Sequence, residues 1–233
     1  GELVTLAQAR AVGTADGQIN LSHGPVTRTL HVRVVSERGD GDHTRIVVTF
    51  DDVTRPETVR AEAEKVSQFS LEFPNVTGGY YDDMKGLMTK FGHGAAECAR
   101  IHDALRSRNP RLRLHTVVYS HELDPPGFWQ ELLPFMDVVT FWVWGYERLT
   151  TLEDDLKRCR DLFGSRPILM GCYLRDYPSV SPMPMESVRH QWRVLAKALA
   201  GGLVDGYDIL ATVLIDGHLE QAEYIRDFIK DHS

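Results

Sequence analysis

The sequence predicts an α/β fold of barrel type: five strand–helix units preceded by a β-rich segment. Three observations predict it. From about residue 55 onward, apolar strands alternate with amphipathic helices. Those strands are apolar almost throughout, which marks strands covered on both faces in a parallel sheet. Their carboxyl ends carry aromatic and acidic residues, at the position where such folds bind ligands.

The first 55 residues have a different rhythm. Thr29–Val35 and Arg45–Phe50 alternate with period two around Gly39-Asp40-Gly41-Asp42, the pattern of a β-hairpin. Asp16-Gly17 and Gly24-Pro25 mark earlier turns. Residues 1–55 therefore form a β-rich segment that completes or flanks the barrel, and residues 56–233 form the barrel-like domain. An eight-unit barrel typically needs about 250 residues, so the barrel is expected to be irregular or incomplete. An all-parallel open sheet is the competing arrangement.

The units follow in order. A helix over Pro56–Phe73 breaks at Phe73-Pro74-Asn75 and leads into a strand at Val76–Asp82. The next helix, Gly94–Arg108, is amphipathic through Ala95, Cys98, Ile101 and Leu105, and Asn109-Pro110 ends it. Leu112–Ser120 is a Val- and Leu-rich strand, followed by a short helix at Gly127–Leu133 and the strand Val138–Trp144. Thr150-Thr151-Leu152-Glu153 matches a capping box opening a helix that stops at Gly164. Pro167–Leu174 is the fourth strand. A loop with three prolines separates it from a helix at Met185–Ala200, stopped by Gly201-Gly202. Strand Gly206–Ile215 and helix His218–Lys230 close the series.

Composition narrows the function. The chain has 233 residues, 42% hydrophobic and 25% charged, with a net charge of -7, ordinary for a globular protein. No basic run forms a nucleic-acid footprint, so nucleic acid is not an expected partner. The longest apolar runs are too short to span a bilayer, and no membrane association is expected. Cys98, Cys159 and Cys172 lack metal or redox spacing and read as small core residues. No strand–helix phosphate loop and no serine nucleophile elbow occur, so no nucleotide cofactor is expected. Asp82, Asp83, His121, Asp176, Asp216 and His218 lack the spacing of a metal site, and no metal is assigned.

The strand ends share a chemistry. The first offers Tyr80, Tyr81, Asp82 and Asp83, and the second Tyr119, His121, Glu122 and Asp124. The third ends in Trp142, Trp144, Tyr146 and Glu147, the fourth in Tyr173, Arg175, Asp176 and Tyr177, and the last in Asp216 and His218. Aromatic rings stack on the flat faces of sugars, while carboxylates and Arg bind hydroxyls or move protons. Each element also has a plain structural reading. An aspartate caps helices well, Trp142 and Trp144 can fill a barrel core, and Arg175-Asp176 can be an ion pair that orders a loop. His121 and His218 can be caps or surface residues, and His115, in mid-strand, reads as a core histidine.

Three segments add a resemblance. They are Glu72-Phe73-Pro74-Asn75-Val76-Thr77-Gly78-Gly79-Tyr80-Tyr81-Asp82-Asp83, Leu114–Asp124 and Met170–Tyr177. Over residues 56–231 the chain resembles uncharacterised bacterial proteins of the glycoside-hydrolase-like (β/α)8-barrel superfamily. The resemblance implies a TIM-barrel-like carbohydrate-active hydrolase with an acidic group at one strand end, although the longer acidic signature of chitinase-like enzymes is absent. Asp83 or Asp82 is then the expected general acid, with Asp83 preferred and Asp82 in support. Asp176 is the expected second carboxylate, ahead of Glu122 and Asp216. Trp142, Trp144 and Tyr173 are expected to stack on sugar, with Tyr80, Tyr81, Tyr119 and His121 lining the site. Arg175 would hold a hydroxyl or orient Asp176. The alternatives on the same fold are a non-catalytic carbohydrate-binding barrel and a divalent-metal-dependent sugar isomerase or hydrolase.

Overall fold

The computed structural model describes residues 13–23, 26–38, 44–51, 56–210 and 215–232. The chain divides into two compact units, Gly1–Thr54 and Arg55–Ser233. The first contains an antiparallel sheet of three strands in the order β1 (Gly13–His23), β2 (Val26–Arg38) and β3 (Thr44–Asp51). The turns expected at Gly24-Pro25 and Gly39–Asp42 lie outside the described residues. Asp16-Gly17, expected as a turn, is instead interior to β1, opposite Arg33 and Val32. Strand preference depends on pairing context, and here the cross-strand register overrides the local turn signal.

The second unit is an α/β half-barrel. Its elements are α1 (Pro56–Glu72), β4 (Gly78–Tyr81), α2 (Met84–Lys90), α3 (Ala95–Arg106), β5 (Arg113–Tyr119), α4 (Gly127–Leu132), β6 (Val138–Trp142) and α5 (Leu152–Phe163). They continue with β7 (Ile168–Tyr173), β8 (Arg175–Asp176), β9 (Ser181–Pro182), α6 (Met185–Ala200), β10 (Gly206–Leu210) and α7 (Leu219–His232). Five parallel strands, ordered β4-β5-β6-β7-β10, curl into a half-barrel, with seven helices among the described residues. Spatial order follows chain order without reversal. Doubly wound open sheets reverse at a switch point, so this winding is that of an incomplete TIM-like barrel. No described helix is long and apolar enough to cross a membrane.

Local chemistry explains the boundaries. The paired glycines at the start of β4 are required by packing on both faces. A Cβ on Gly78 would lie 2.4 Å from the Arg113 carbonyl oxygen, and one on Gly79 would lie 3.0 Å from Leu105 of α3. α3 ends where Ser67 of α1 accepts the Arg108 and Asn109 N–H groups at 2.9 and 3.3 Å. Gly164 ends α5 with φ 63°, a conformation costly for residues with a Cβ. The capping box expected at Thr150–Glu153 does not form. Thr151 is the N-cap without a side-chain cap bond, and its hydroxyl donates to Asp155 Oδ2 at 2.8 Å and the Arg148 carbonyl at 3.1 Å. The preceding residues, Tyr146–Thr151, are already wound as a 3-10 turn, which spends the hydroxyl on carbonyls behind it. Helix α2 was not expected; at seven residues it is too short to show a periodic face.

The core lies between sheet and helices, centred on Phe141, Met170, Trp129, Phe163 and Trp192. Cys98, Cys159 and Cys172 are all free and buried. Burial pushes the Cys98 thiol up to about 12, so it stays an inert thiol at neutral pH.

One buried polar side chain ties a helix to the sheet. Gln191 of α6, 1% exposed, accepts the Tyr173 N–H and donates to the Tyr173 carbonyl, both at 3.3 Å. Removing it leaves two buried backbone groups unpaired. Gln191→Leu should therefore cost about 2–4 kcal/mol of stability, read as a lower midpoint in urea denaturation followed by tryptophan fluorescence.

Candidate functional site

In a parallel ladder, paired residues face the same side of the sheet, and successive residues alternate. Tyr80 is level with His115, Tyr119 with Trp142, Asp208 with Gly171, and Tyr173 with Leu210. The helix-covered side is identified by Tyr207, whose ring meets Trp192 of α6 at 5.3 Å. Asp208, the next residue, therefore faces the concave side, as do Tyr80, His115, Tyr119, Trp142, Gly171 and Tyr173. Of the expected site residues, Tyr80, Tyr119, Trp142 and Tyr173 share this face.

Trp142 and Gly171 set that surface. A Cβ on Gly171 would lie 2.0 Å from the Trp142 indole, so the ring rests directly over the glycine backbone. Trp142 Nε1 donates to the Tyr80 hydroxyl at 3.2 Å, and the Tyr173 ring lies 4.8 Å away. Trp142 is only 4% exposed. It supports its neighbours rather than offering a free stacking face. Tyr80 is the converse, 52% exposed overall with its hydroxyl end buried. Burial raises its pKa, opposed by hydrogen bonding with Thr140 and Trp142 and reinforced by Asp208 and Asp82. The phenol is a neutral hydrogen-bonding group at any working pH.

The two adjacent aspartates separate in role. β4 ends at Tyr81, and the chain turns through Asp83 at φ 48°, a left-handed conformation that Asp tolerates better than most residues. Asp83 sits at the N-cap of α2 without a side-chain cap bond. Its backbone N–H donates to Asp82 Oδ1 at 2.8 Å, and the Tyr119 hydroxyl donates to the same oxygen at 3.3 Å. Asp82 is thus the aspartate joined to the concave face. Tyr81 points the other way. It is buried on the helix side beside Cys98 and Glu97, and burial first and those groups next push its phenol up to about 12. It is removed from the cleft by strand alternation.

A chain of aromatic rings extends from Tyr119, whose hydroxyl bonds Asp82. Tyr119 stacks on the exposed His121 at 5.5 Å and 15°, and meets Trp144 edge-on at 6.0 Å. Trp144 is 39% exposed, lies edge-on to Tyr173 at 6.2 Å and stacks with Tyr177 at 5.3 Å and 28°. The Tyr119 and Tyr173 phenols are both raised, mainly by burial and then by Asp82. Glu122 lies behind this group. Its carboxylate accepts the Tyr119 N–H at 3.1 Å, and burial raises its pKa against that bond and the nearby His121 and Lys85.

Arg175 and Asp176 form the two-residue strand β8 just past β7, at the base of the loop that returns as β9. Asp176 is 3% exposed. It accepts the Tyr146 N–H at 3.1 Å, the Ser179 N–H at 3.0 Å and the Ser179 hydroxyl. Burial raises its pKa, but these bonds outweigh burial and hold it below the ordinary carboxylate value. Arg175 donates to the Val180 carbonyl at 3.1 Å instead of pairing with Asp176. Both residues order the loop that carries Tyr177. Among the described residues, no three His, Cys, Asp or Glu side chains converge as a metal site.

Two residues were given no role from sequence: Tyr177, named at the fourth strand end, and Asp208. Tyr177 carried a signal, an aromatic residue just past a strand end. Asp208 did not, because it lies in mid-strand, and only register and curvature bring it to the same face as Tyr80.

No family model matches this chain, and no curated protein matches it in sequence. Among solved structures, the glycoside hydrolase domain of PgaB (BpsB) from Bordetella bronchiseptica is similar with a TM-score of 0.40 and 15% sequence identity. The likeness covers 75% of this chain and 45% of that one, so this chain spans less than half its length.

Two outcomes follow from this geometry. Gly171→Ala forces a methyl into the Trp142 ring and should cost about 1–3 kcal/mol, seen as a lower melting temperature and a shifted tryptophan emission. Asp176 has a lowered folded pKa, so its contribution is present above the unfolded value of about 3.9 and is lost as pH falls through the folded value. Asp176→Asn should destabilise the protein by about 1–2 kcal/mol at pH 7 and flatten the acid loss below about pH 4, measured by urea denaturation across pH.

Proposed function

We propose that the concave face binds carbohydrate and hydrolyses a glycosidic bond, with Asp82 as a reacting carboxylate. The observation that carries this reading is the setting of Asp82. Its Oδ1 is held by the Tyr119 hydroxyl and the Asp83 N–H, beside the linked rings of Tyr119, Trp144, Tyr173 and Tyr177. A carboxylate oriented by fixed donors next to aromatic surfaces can act on the anomeric centre of a sugar stacked against them. Trp144 and Tyr177 are the stacking surface in this reading. Tyr80 and Tyr119 present neutral phenols to sugar hydroxyls, and His121 extends the Tyr119 side. Asp83 supplies the backbone donor that orients Asp82, which reverses the order expected from sequence. Asp176 and Arg175 act by holding the Tyr177 loop.

The test is a panel of polysaccharides and oligosaccharides, with products followed by mass spectrometry and reducing-end assay. Asp82→Asn should lower hydrolysis of any cleaved glycan by roughly 10²–10⁴-fold, and Asp83→Asn by less than that. Unchanged cleavage in Asp82→Asn would sink the assignment. Binding to a glycan with no product after long incubation would favour the non-catalytic sugar-binding barrel instead.

A further inference from the structure

Asp208 occupies a position that the fold alone does not explain. It lies inside β10, paired with Gly171 of β7, on the face opposite the helix-packed Tyr207. The Trp142 indole fills the space that a side chain on Gly171 would take, so Asp208 stands beside that ring. Its Oδ2 is buried and has no hydrogen-bond partner among the described residues. Burial pushes its carboxyl above the ordinary value. A buried carboxylate oxygen without a donor is costly, whereas a protonated carboxyl carries its own O–H.

Asp82 and Asp208 come from opposite ends of the sheet. Asp82 follows edge strand β4, and Asp208 lies in edge strand β10. Curling turns these edges toward each other, and the Tyr80 hydroxyl feels both carboxyls. The two groups are therefore in unlike settings on one concave face: Asp82 exposed and bonded by two donors, Asp208 half-buried with its Oδ2 fully buried and without one. Pairs of carboxyls with divergent environments divide acid and base roles.

We infer that Asp208 is the proton donor to the leaving-group oxygen and that Asp82 faces it as the base, an assignment that rests on the glycosidase reading above. As the bond from the anomeric carbon to the leaving oxygen breaks, its electron pair stays on that oxygen, which takes the Asp208 proton. A water oxygen bonds to the anomeric carbon and gives its proton to the Asp82 carboxylate. Asp208 ends as carboxylate and Asp82 as acid, and exchange with solvent restores both. This is the division of roles in inverting enzymes, whose carboxyls stand roughly 6.5–9.5 Å apart with the water between them.

The experiment compares wild type, Asp208→Asn, Asp208→Ala and Asp82→Asn on the cleaved polysaccharide and on the 2,4-dinitrophenyl glycoside of the sugar it releases. A leaving group as weakly basic as dinitrophenolate needs no proton. The Asp208 variants should lose roughly 100-fold or more in kcat/KM on the polysaccharide but less than about 10-fold on the aryl glycoside, while Asp82→Asn loses both. The first anomer formed, read by NMR, should be inverted. Asp208→Asn should melt no lower than wild type at pH 7, because the buried Oδ2 that it replaces has no protein hydrogen bond to break. Equal losses on both substrates, unchanged cleavage in the Asp208 variants, a retained anomer or a lowered melting temperature would each overturn the assignment while leaving the Asp82 result standing. A wild-type protein that cleaves no glycan would overturn the glycosidase reading itself, and this assignment with it.

Discussion

The Trp142 indole rests over the backbone of Gly171, and the concave face is organised around that close approach. With any side chain at residue 171, a Cβ would sit within 2.0 Å of the ring. Because the ring lies flat there, its Nε1 reaches the Tyr80 hydroxyl across the sheet, and Tyr173 packs against it from β7. Three strands are joined by this one buried aromatic. Tyr80 and Tyr119 lie on the same face, and Tyr173, itself buried, packs beside the indole. A glycine in the middle of a strand usually weakens it, and here it is what lets a large ring lie against the sheet.

The polar groups on that surface fall into two kinds. The phenols of Tyr80, Tyr119 and Tyr173 are raised first of all by burial, so they remain neutral donors and acceptors over the whole working range. In the proposed reaction, proton transfer falls to the carboxyls. Among these, Asp176 and Glu122 are committed to backbone groups of their own loops. Asp82 accepts the Asp83 N–H of its own turn but also the Tyr119 hydroxyl from a neighbouring strand, and Asp208 Oδ2 has no donor among the described residues. The division follows from position: loop carboxylates meet backbone N–H groups turned toward them, whereas strand amides are already paired within the ladder and leave Asp208 without a donor.

Much of the α/β order was legible in the sequence because each strand is a short apolar run ended by a strong signal. Gly164 and Gly201-Gly202 stop helices where the structure stops them, while the helix expected to reach Arg108 before Asn109-Pro110 ends at Arg106. Short elements were less legible. Helix α2 spans seven residues and shows no periodic face, and Asp16-Gly17 spoke for a turn in a segment that pairs as continuous strand. The 3-10 winding of Tyr146–Thr151 likewise consumed a hydroxyl that the local pattern assigned to a cap.

By itself the sequence determined that aromatic and acidic residues collect at the carboxyl ends of parallel strands, because strand length and helix stops are local properties. It also determined that Tyr80 and Tyr81 must point to opposite faces, since the pleat alternates. Only the tertiary structure decided that Trp142 is a buried support while Trp144 is exposed, and that Asp176 serves a loop. It alone joined Asp82 to Tyr119 and turned Asp208 to the same face. Those outcomes depend on register between strands and on the curl of the sheet, which arise from contacts between residues far apart in the chain and leave no trace in local spacing.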